Sequence, residues 1–349
     1  MQNINHQIQR IAERYKTYEN NNELKEDLEH LLIQLKEKEQ VSYIKASEIG
    51  KLATDRLLQL VDTKVSEAQI IKTGFADYDT EFGGLLKGEL LVLGGRPGMG
   101  KTQLMVNLCS TIASSGKACG YLTLELSSFQ LTNRFIGHFA QMEQCYLMKG
   151  QIEKMNRSNL EEGVRSLSTL PIFIYDQFVT SISSVSDKCR QLVRENNAEV
   201  IFIDYLQLMG TFNRRNNRET EISIVMRELK NLAKELNIVL VVASQLSRQV
   251  ENRPGGSKRP QLSDLRESGS IEQDSDKVLF IYRHEYYGIE FDENNESTRH
   301  VMELIMAKNN TGYCESIKLT VKKGFTGFAD YKGPYSELTI SQNRLNDLN

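Results

Sequence analysis

The segment Gly95-Arg96-Pro97-Gly98-Met99-Gly100-Lys101-Thr102 decides the fold of this 349-residue chain. It matches G-x-x-x-x-G-K-[ST], directly follows an apolar run at 90–93 and directly precedes a helical stretch that begins at Gln103. This context predicts a loop whose backbone N–H groups surround phosphates. The helix N-terminus adds its positive end, Lys101 reaches the terminal phosphates, and Thr102 ligates magnesium. The segment therefore predicts a nucleotide site, against the weaker alternative of a chance Gly-rich turn.

Short apolar runs on both sides of this loop indicate a sheet. They cover residues 89–93, 118–124, 172–175, 200–203, 238–243 and 278–282, and they alternate with helical stretches at 103–114, 184–196 and 221–236. Apolar runs of this length with crossover helices are typical of buried parallel strands. Two late runs, 301–307 and 316–321, flank Asn309-Asn310-Thr311-Gly312 and predict an antiparallel hairpin at the sheet edge. The predicted fold is α/β, mainly parallel, with flanking helices.

The composition is that of an ordinary globular protein. The net charge is -3, with 26% charged and 40% hydrophobic residues, which excludes a disordered or collagen-like chain. The five cysteines show no Cys-x-x-Cys spacing, so they signal neither a metal site nor a disulfide framework. No window approaches the roughly 20 apolar residues of a membrane helix, and the start has no leader pattern. We therefore expect a cytoplasmic protein with no membrane partner.

Changes in composition suggest three regions. Apolar stripes at helical spacing occupy 4–18, 24–35 and 49–61, so residues 1–69 are predicted to form a helical arm and a linker helix. A helical cap on the following domain and an oligomerisation arm both fit these stripes. Residues 70–331 are predicted to form the nucleotide-binding domain, and residues 332–349 a C-terminal tail.

Polar residues end three of the apolar runs and are candidates for the chemistry. Asp204 follows 200–203, where a phosphate loop needs an acidic residue for its magnesium. Glu125 follows 121–124 and is the candidate for activating a water, although a helix N-cap partner beside Ser127 is an alternative. Gln245 ends 239–244 and is placed to sense a terminal phosphate. For Asp204, the alternative is a surface aspartate that caps the next helix.

With these residues in place, the chain resembles the motor domain of DnaB-type replicative helicases, which are RecA-like ATPases. The resemblance covers about 70–331. Its motifs are the segments 73–79, 95–102, 124–127, 203–209, 244–248 and 263–274. The last two of these are the most distinctive: Ser244-Gln245-Leu246-Ser247-Arg248, and the segment that contains Ser263-Asp264-Leu265-Arg266-Glu267-Ser268-Gly269.

The resemblance implies a ring of six subunits that binds ATP and Mg²⁺ between neighbours and single-stranded DNA in the channel. It implies that Glu125 is the general base, that Lys101, Gln245 and Lys308 assist catalysis, and that Thr102 and Asp204 hold the metal. The implied nucleotide contacts are Gly95, Arg96, Pro97, Gly98, Met99, Gly100, Lys101, Thr102 and Gln103, with Arg134 on the base.

The resemblance also implies DNA contacts. These are Arg248, Arg266, Glu267 and Gly269, for which an internal ion-pair network is the alternative. Loop residues Arg214, Arg215, Arg218, Arg253, Lys258 and Arg259 suit contact with phosphates without base readout, but they also fit solvated surface loops.

Two departures from the family pattern bear on function. Only about 70 residues precede the motor, where the family has a larger helical domain, so primase contact in the usual manner is not expected and a loader is not identified. In the predicted hairpin Lys308 is in place, but Asn310 stands where the family has an arginine finger. An asparagine is neutral and too short to neutralise charge on a neighbour's phosphoryl group.

Two functions follow from these observations. The first is an ATP-driven, ring-forming DNA helicase or translocase, of the kind a phage or mobile element uses for its own replication. The second is a nucleotide-dependent DNA-binding or regulatory protein with weak hydrolysis, which Asn310 and the short N-terminal region favour. A RecA-like recombinase is a weaker third, because the segment 266–274 matches helicases.

Overall fold

The computed structural model describes residues 46, 47, 50, 54, 69–150, 156–176, 181–210, 218–253, 257–265 and 268–333. The chain divides into two units, Met1–Ser66 and Glu67–Asn349. Residues 46, 47, 50 and 54 are helical. The rest of the predicted arm and linker helix, and the predicted tail beyond residue 333, lie outside the described residues. No helix in the described ranges is long and apolar enough to cross a membrane.

The second unit alternates strands and helices along the chain. Its strands are β1 (Ile70–Ile71), β2 (Leu85–Leu86), β3 (Leu90–Gly95), β4 (Cys119–Thr123), β5 (Ile172–Tyr175), β6 (Val200–Asp204), β7 (Val239–Gln245), β8 (Lys277–Tyr282), β9 (Val301–Asn309), β10 (Ser316–Val321) and β11 (Phe328–Asp330). Its helices are α1 (Ala76–Glu81), α2 (Lys101–Ser114), α3 (Ser128–Ala140), α4 (Gln144–Lys149), α5 (Arg157–Ser168), α6 (Ile182–Asn196), α7 (Arg218–Leu236) and α8 (Ser268–Asp274).

Nine strands form one sheet, in the order β11-β10-β9-β8-β3-β7-β6-β4-β5. The strands from β8 to β5 in this order are parallel, whereas β9, β10 and β11 are antiparallel to their neighbours. The predicted mainly parallel sheet with an antiparallel hairpin is confirmed. Its predicted position at the edge is wrong by one strand, because β11 pairs with β10 and is outermost. β1 and β2 form a separate antiparallel pair.

The central parallel strands β8, β3, β7 and β6 are buried on both faces, which explains why they are apolar runs, whereas the antiparallel β10 alternates buried and more exposed residues. In β3, Leu91 and Leu93 face a cluster that includes α2 and α3, while Leu90 and Val92 face a cluster that includes α6, α7 and α8. Successive side chains of a strand point to opposite faces, so an apolar residue at every position serves both clusters.

The fold brings the polar ends of the strands to one edge. β3 lies between β7 and β8, and β6 lies next to β7, so the C-terminal ends of these parallel strands are neighbours. In open α/β sheets ligands bind outside the carboxyl ends of the strands. Gly95, Asp204 and Gln245 therefore meet at the edge where a ligand site is expected.

Candidate nucleotide-binding site

The loop between β3 and α2 has the shape that the motif predicts. Gly98 and Gly100 have φ angles of 80° and 105°, a left-handed conformation that glycine adopts without a steric penalty. A Cβ on Gly100 would lie 2.5 Å from the Phe325 ring. The loop ends at the N-terminus of α2, whose first N–H groups have no partner within the helix and favour an anion.

The Lys101 side chain crosses this loop. Its ammonium donates to the carbonyls of Gly95 at 2.7 Å and Arg96 at 3.2 Å. Burial lowers the pKa of Lys101 to about 8, against the opposing effect of the nearby carboxylates Asp204 and Glu125. A cation that is held by two carbonyls and removed from water is positioned to bind phosphate oxygens.

Thr102 and Asp204 form a contact between the start of α2 and the end of β6. The Thr102 hydroxyl donates to Oδ2 of Asp204 at 2.7 Å, and the Tyr121 hydroxyl donates to the same oxygen at 3.4 Å. Burial raises the pKa of Asp204, although the Thr102 hydrogen bond and the nearby Lys101 lower it. Oxygen donors of this kind suit Mg²⁺, which is typically held by one or two protein oxygens together with phosphates and waters.

Glu125 lies beyond the end of β4 and faces the same cleft. The N–H of Leu124 donates to the carbonyl of Asp204 at 2.8 Å, which holds the turn before Glu125 against the end of β6. Burial, and then the negative charge of Asp204, raise the pKa of Glu125, while Lys101 and Arg134 lower it. A carboxylate with a raised pKa is a better proton acceptor than an ordinary surface glutamate.

The structure brings most of the predicted nucleotide and catalytic residues into one cleft. Its lining consists of Pro97, Gly98, Gly100, Lys101, Thr102, Gln103, Glu125, Arg134, Asp204, Tyr205, Gln245 and Phe325. The alternative role for Glu125 is an interaction at a helix N-cap. The N-cap of α3 is instead Ser127, which forms a capping box with Gln130.

Two cleft residues, Phe325 and Tyr205, are missing from the sequence-based set. Phe325 comes from the turn between β10 and β11, which is fixed to α2: Gln103 donates to the carbonyl of Thr326 at 2.9 Å, and Asn107 accepts from the N–H of Phe328 at 2.7 Å. No local motif marks Phe325, since its approach to the phosphate loop depends on these contacts. Tyr205 follows Asp204 directly, and that adjacency is the signal that could have found it.

Other predicted residues lie elsewhere. Arg96 is buried, and its guanidinium contacts Glu251 at 2.8 Å and the carbonyl of Leu246 at 3.0 Å. The Met99 side chain is buried in the core. Arg248 and Gly269 are exposed, whereas Arg266 and Glu267 lie outside the described residues.

The position expected for the arginine finger is at the far end of β9. Lys308 donates to the carbonyls of Glu272 at 2.6 Å and Ser275 at 2.6 Å, at the C-terminal end of α8. The backbone N–H of Asn310 donates to the carbonyl of Asp276 at 3.0 Å. Neither residue lines the cleft that the phosphate loop of the same chain forms.

A mainly parallel sheet whose phosphate loop follows β3 and faces an acidic residue at the end of β6, two strands away, defines a RecA-like P-loop nucleotide-binding domain. The family model described as "DnaB-like helicase C terminal domain" matches residues 70–330. This chain therefore belongs to the DnaB-like helicase C-terminal domain family.

Relatives in sequence agree with this assignment. The chain is 36% identical over 292 residues to the replicative DNA helicase DnaB of Rickettsia bellii (strain RML369-C), and 40% identical over 266 residues to a probable replicative DNA helicase of Trieres chinensis. These matches cover 76% and 75% of this chain but 58% and 57% of the relatives, so it spans little more than half of their length.

A solved structure of a DnaB-like replicative helicase, which was described together with its interactions with primase, has a similar fold. It is 26% identical to this chain, with a TM-score of 0.77, and the match covers 95% of this chain and 76% of that one. The similarity in three dimensions thus agrees with the family that the sequence match gives.

Proposed function

We propose that this chain is the motor of an ATP-dependent, ring-forming DNA helicase or translocase that moves on single-stranded DNA during replication. The observation that carries this proposal is the 2.7 Å contact between Thr102 and Asp204, in a cleft that Lys101 and Glu125 also line. A cation site, a phosphate-binding lysine and a proton acceptor thus meet at one edge of the sheet. Membership of the DnaB-like family and the names of the relatives support the choice of DNA as the track.

Different residues of the cleft bind Mg²⁺ and the phosphates of ATP. The N–H groups of the loop 95–100 and the ammonium of Lys101 bind the phosphates, and Thr102 and Asp204 hold the metal. Bound Mg²⁺ offsets the negative charge of the phosphate oxygens. Arg134 and Phe325 line the same cleft and offer a cation and a ring face for stacking on the base.

Hydrolysis needs a base and a stabilised transition state. Glu125 accepts the proton of the attacking water, for which its raised pKa suits it. Lys101 neutralises charge as it develops on the transferred group. Gln245, at the end of β7, reports the terminal phosphate through its neutral amide, since it lines the cleft without adding charge.

The DNA contacts and the ring follow from the family pattern. Arg248 is exposed in the turn after β7, three residues beyond Gln245, and Gly269 is exposed at the start of α8. Backbone contacts of this kind bind DNA without reading its sequence. In the proposed assembly six copies form the ring, and nucleotide lies between neighbours. A primase or loader is not part of the proposal.

Asn310 favours a second candidate function. Its side chain reaches Asp276 at 3.5 Å, and it cannot supply the positive charge that an arginine finger gives to a neighbouring site. In this second function the chain binds DNA in a nucleotide-dependent manner and hydrolyses ATP weakly.

An ATPase assay with and without single-stranded DNA, run beside a measurement of oligomer mass, tests both candidates. The motor predicts a particle of about six 39.9 kDa chains whose hydrolysis rises when single-stranded DNA is added. Binding of DNA that depends on ATP, without DNA-stimulated hydrolysis, supports the second candidate. Equal hydrolysis with and without DNA, and no nucleotide-dependent DNA binding, would reject both.

A further inference from the structure

Gln207, in the turn after β6, hydrogen-bonds both polar groups of the Gln245 main chain. The N–H of Gln245 donates to Oε1 of Gln207 at 3.1 Å, and Nε2 of Gln207 donates to the Gln245 carbonyl at 3.2 Å. The same Nε2 donates to the hydroxyl of the buried Ser244 at 2.9 Å. One side-chain amide therefore fixes the backbone of the candidate phosphate sensor.

The Gln207 amide adds hydrogen bonds to β7 beyond the point where β7 stops pairing with β6. The pairing of β6 with β7 ends at Ile203 and Val242, three residues before Gln245. On the other edge of β7, Gln245 pairs with Gly95, the first residue of the phosphate loop. Gln245 is thus held between the phosphate loop and the amide of Gln207, so a displacement of its backbone strains or breaks these hydrogen bonds.

Arg218 hydrogen-bonds two main-chain carbonyls of the same turn. Its guanidinium donates to the carbonyl of Gln207 at 2.6 Å and to the carbonyl of Met209 at 3.1 Å. Arg218 is the first residue of α7 and also pairs with Glu221 at 3.0 Å. It belongs to the arginine-rich stretch that fits, from the sequence, either contact with DNA phosphates or a solvated surface loop. Hydrogen bonds therefore connect Gln245 to Gln207, and Gln207 to Arg218.

We infer that Gln207 is a positioning residue that couples the phosphate-sensing end of β7 to the start of α7. The inference rests on the proposed function for the role of Gln245, and on the sequence-based expectation that the stretch around Arg218 contacts DNA. Coupling between two sites requires an element that both sites bias. The turn 206–209 is placed to be such an element, because the Gln207 amide bonds to Gln245 and two carbonyls of the turn bond to Arg218.

The kinetic test replaces the amide with an apolar side chain of similar length. Gln207→Met removes all three hydrogen bonds, and Gln207→Glu keeps an acceptor for the Gln245 N–H but has no donor for the carbonyl. We expect the ratio of DNA-stimulated to basal kcat to fall at least about fivefold in Gln207→Met, the lower range of typical allosteric coupling, and by less in Gln207→Glu.

The matched control is Gln191→Met on α6, where the amide contacts Lys188 and Glu195 at the surface. We expect this variant to keep the wild-type ratio. A purely structural role for Gln207 would lower the melting temperature and the amount of active enzyme but leave the ratio unchanged. The wild-type ratio in both Gln207 variants would overturn the inference.

Amide hydrogen exchange on the full chain tests the same coupling without turnover. In the wild type we expect Mg²⁺ with a non-hydrolysable ATP analogue to slow exchange at residues 218–221, and we expect Gln207→Met to lose this response. A response that is equal in both proteins, or absent from the wild type, would overturn the inference. Lack of DNA-stimulated hydrolysis in the wild type would instead reject the proposed motor, and the exchange measurement would still decide the role of Gln207.

Discussion

The phosphate loop and the end of the β9–β10 hairpin differ in how their charged groups are used. At the loop, two carbonyls hold the Lys101 ammonium and Thr102 contacts Asp204, and these groups line an open cleft. At the hairpin, the ammonium of Lys308 lies against the last carbonyls of α8, and Asn310 contacts Asp276. The charged groups of the first region are therefore open to a ligand, whereas the lysine of the second region contacts the end of a helix.

Lys101→Ala is expected to have the largest effect. Removing the ammonium should lower kcat/KM for ATP by about a thousandfold or more, because the cleft loses its principal cation for the terminal phosphates. Steady-state hydrolysis and equilibrium ATP binding measure this loss. The matched control is Lys117→Ala, which removes a lysine that pairs with Glu199 at 3.2 Å. Comparable losses in both variants would contradict the assignment of Lys101.

Glu125→Gln tests the proton acceptor in the same region. The amide keeps the size of the side chain but takes up no proton, so we expect kcat to fall about 10²–10⁴-fold while ATP binding persists. Single-turnover hydrolysis and ATP titration separate the two quantities. Glu161→Gln on α5, where the carboxylate is exposed and paired with Arg157, is the control and should keep wild-type turnover. If Glu125→Gln retains turnover, a group other than Glu125 is the general base.

Asn310→Arg tests the hairpin end directly. If this position faces a neighbour's terminal phosphate in the ring, an arginine there should raise DNA-stimulated hydrolysis by about tenfold or more. The control is Tyr313→Arg, which adds the same charge to the same hairpin at a side chain that is 82% exposed. A similar gain from both variants would mean that added charge, rather than position 310, is responsible. No gain from Asn310→Arg would mean that the hairpin is placed differently.

The pH dependence of ATP binding tests the electrostatics of the cleft. Burial lowers the pKa of Lys101 to about 8 in the ligand-free protein, and bound phosphates favour the protonated ammonium. Because the deprotonated lysine binds phosphate poorly, affinity should be constant below about pH 7, be about halved at pH 8 and have fallen by up to about tenfold at pH 9. In Glu125→Gln the loss of affinity should begin at a lower pH, since this variant removes a carboxylate that raises the pKa of Lys101. A flat profile in the wild type would contradict the role of Lys101.

The sequence predicts the phosphate loop, the strands and Asp204 well, because each depends on residues that are close together in the chain. Apolar runs mark strands buried on both faces, and a charge that ends such a run marks the ligand edge. β11 is missed because three residues carry too little pattern. Phe325, Gln207 and the contacts of Lys308 are missed because each depends on how a side chain reaches a main-chain group or a loop from another part of the fold.

Lys308→Met is expected to have the smallest effect on hydrolysis. It tests whether Lys308 caps α8 or acts on a neighbour's phosphate. If Lys308 caps α8, the variant leaves carbonyls at a helix C-terminus without their cation, and the free energy of unfolding should fall by about 1–2 kcal/mol in urea denaturation. Lys318→Met is the matched control, because it removes a lysine of the adjacent strand β10 that pairs with the side chains of Asp292 and Glu296 and not with a helix end.

The two roles of Lys308 predict different pairs of measurements. A capping lysine lowers stability and leaves hydrolysis per folded ring near that of the wild type. A lysine that acts on a neighbour's phosphate lowers hydrolysis with stability unchanged, and this result would contradict the capping role. Asn310 supplies no charge beside Lys308, so a catalytic Lys308 would be the principal cation of the hairpin. In that case Lys308→Met should lower the hydrolysis rate and Asn310→Arg should raise it, and the same ATPase assay measures both effects.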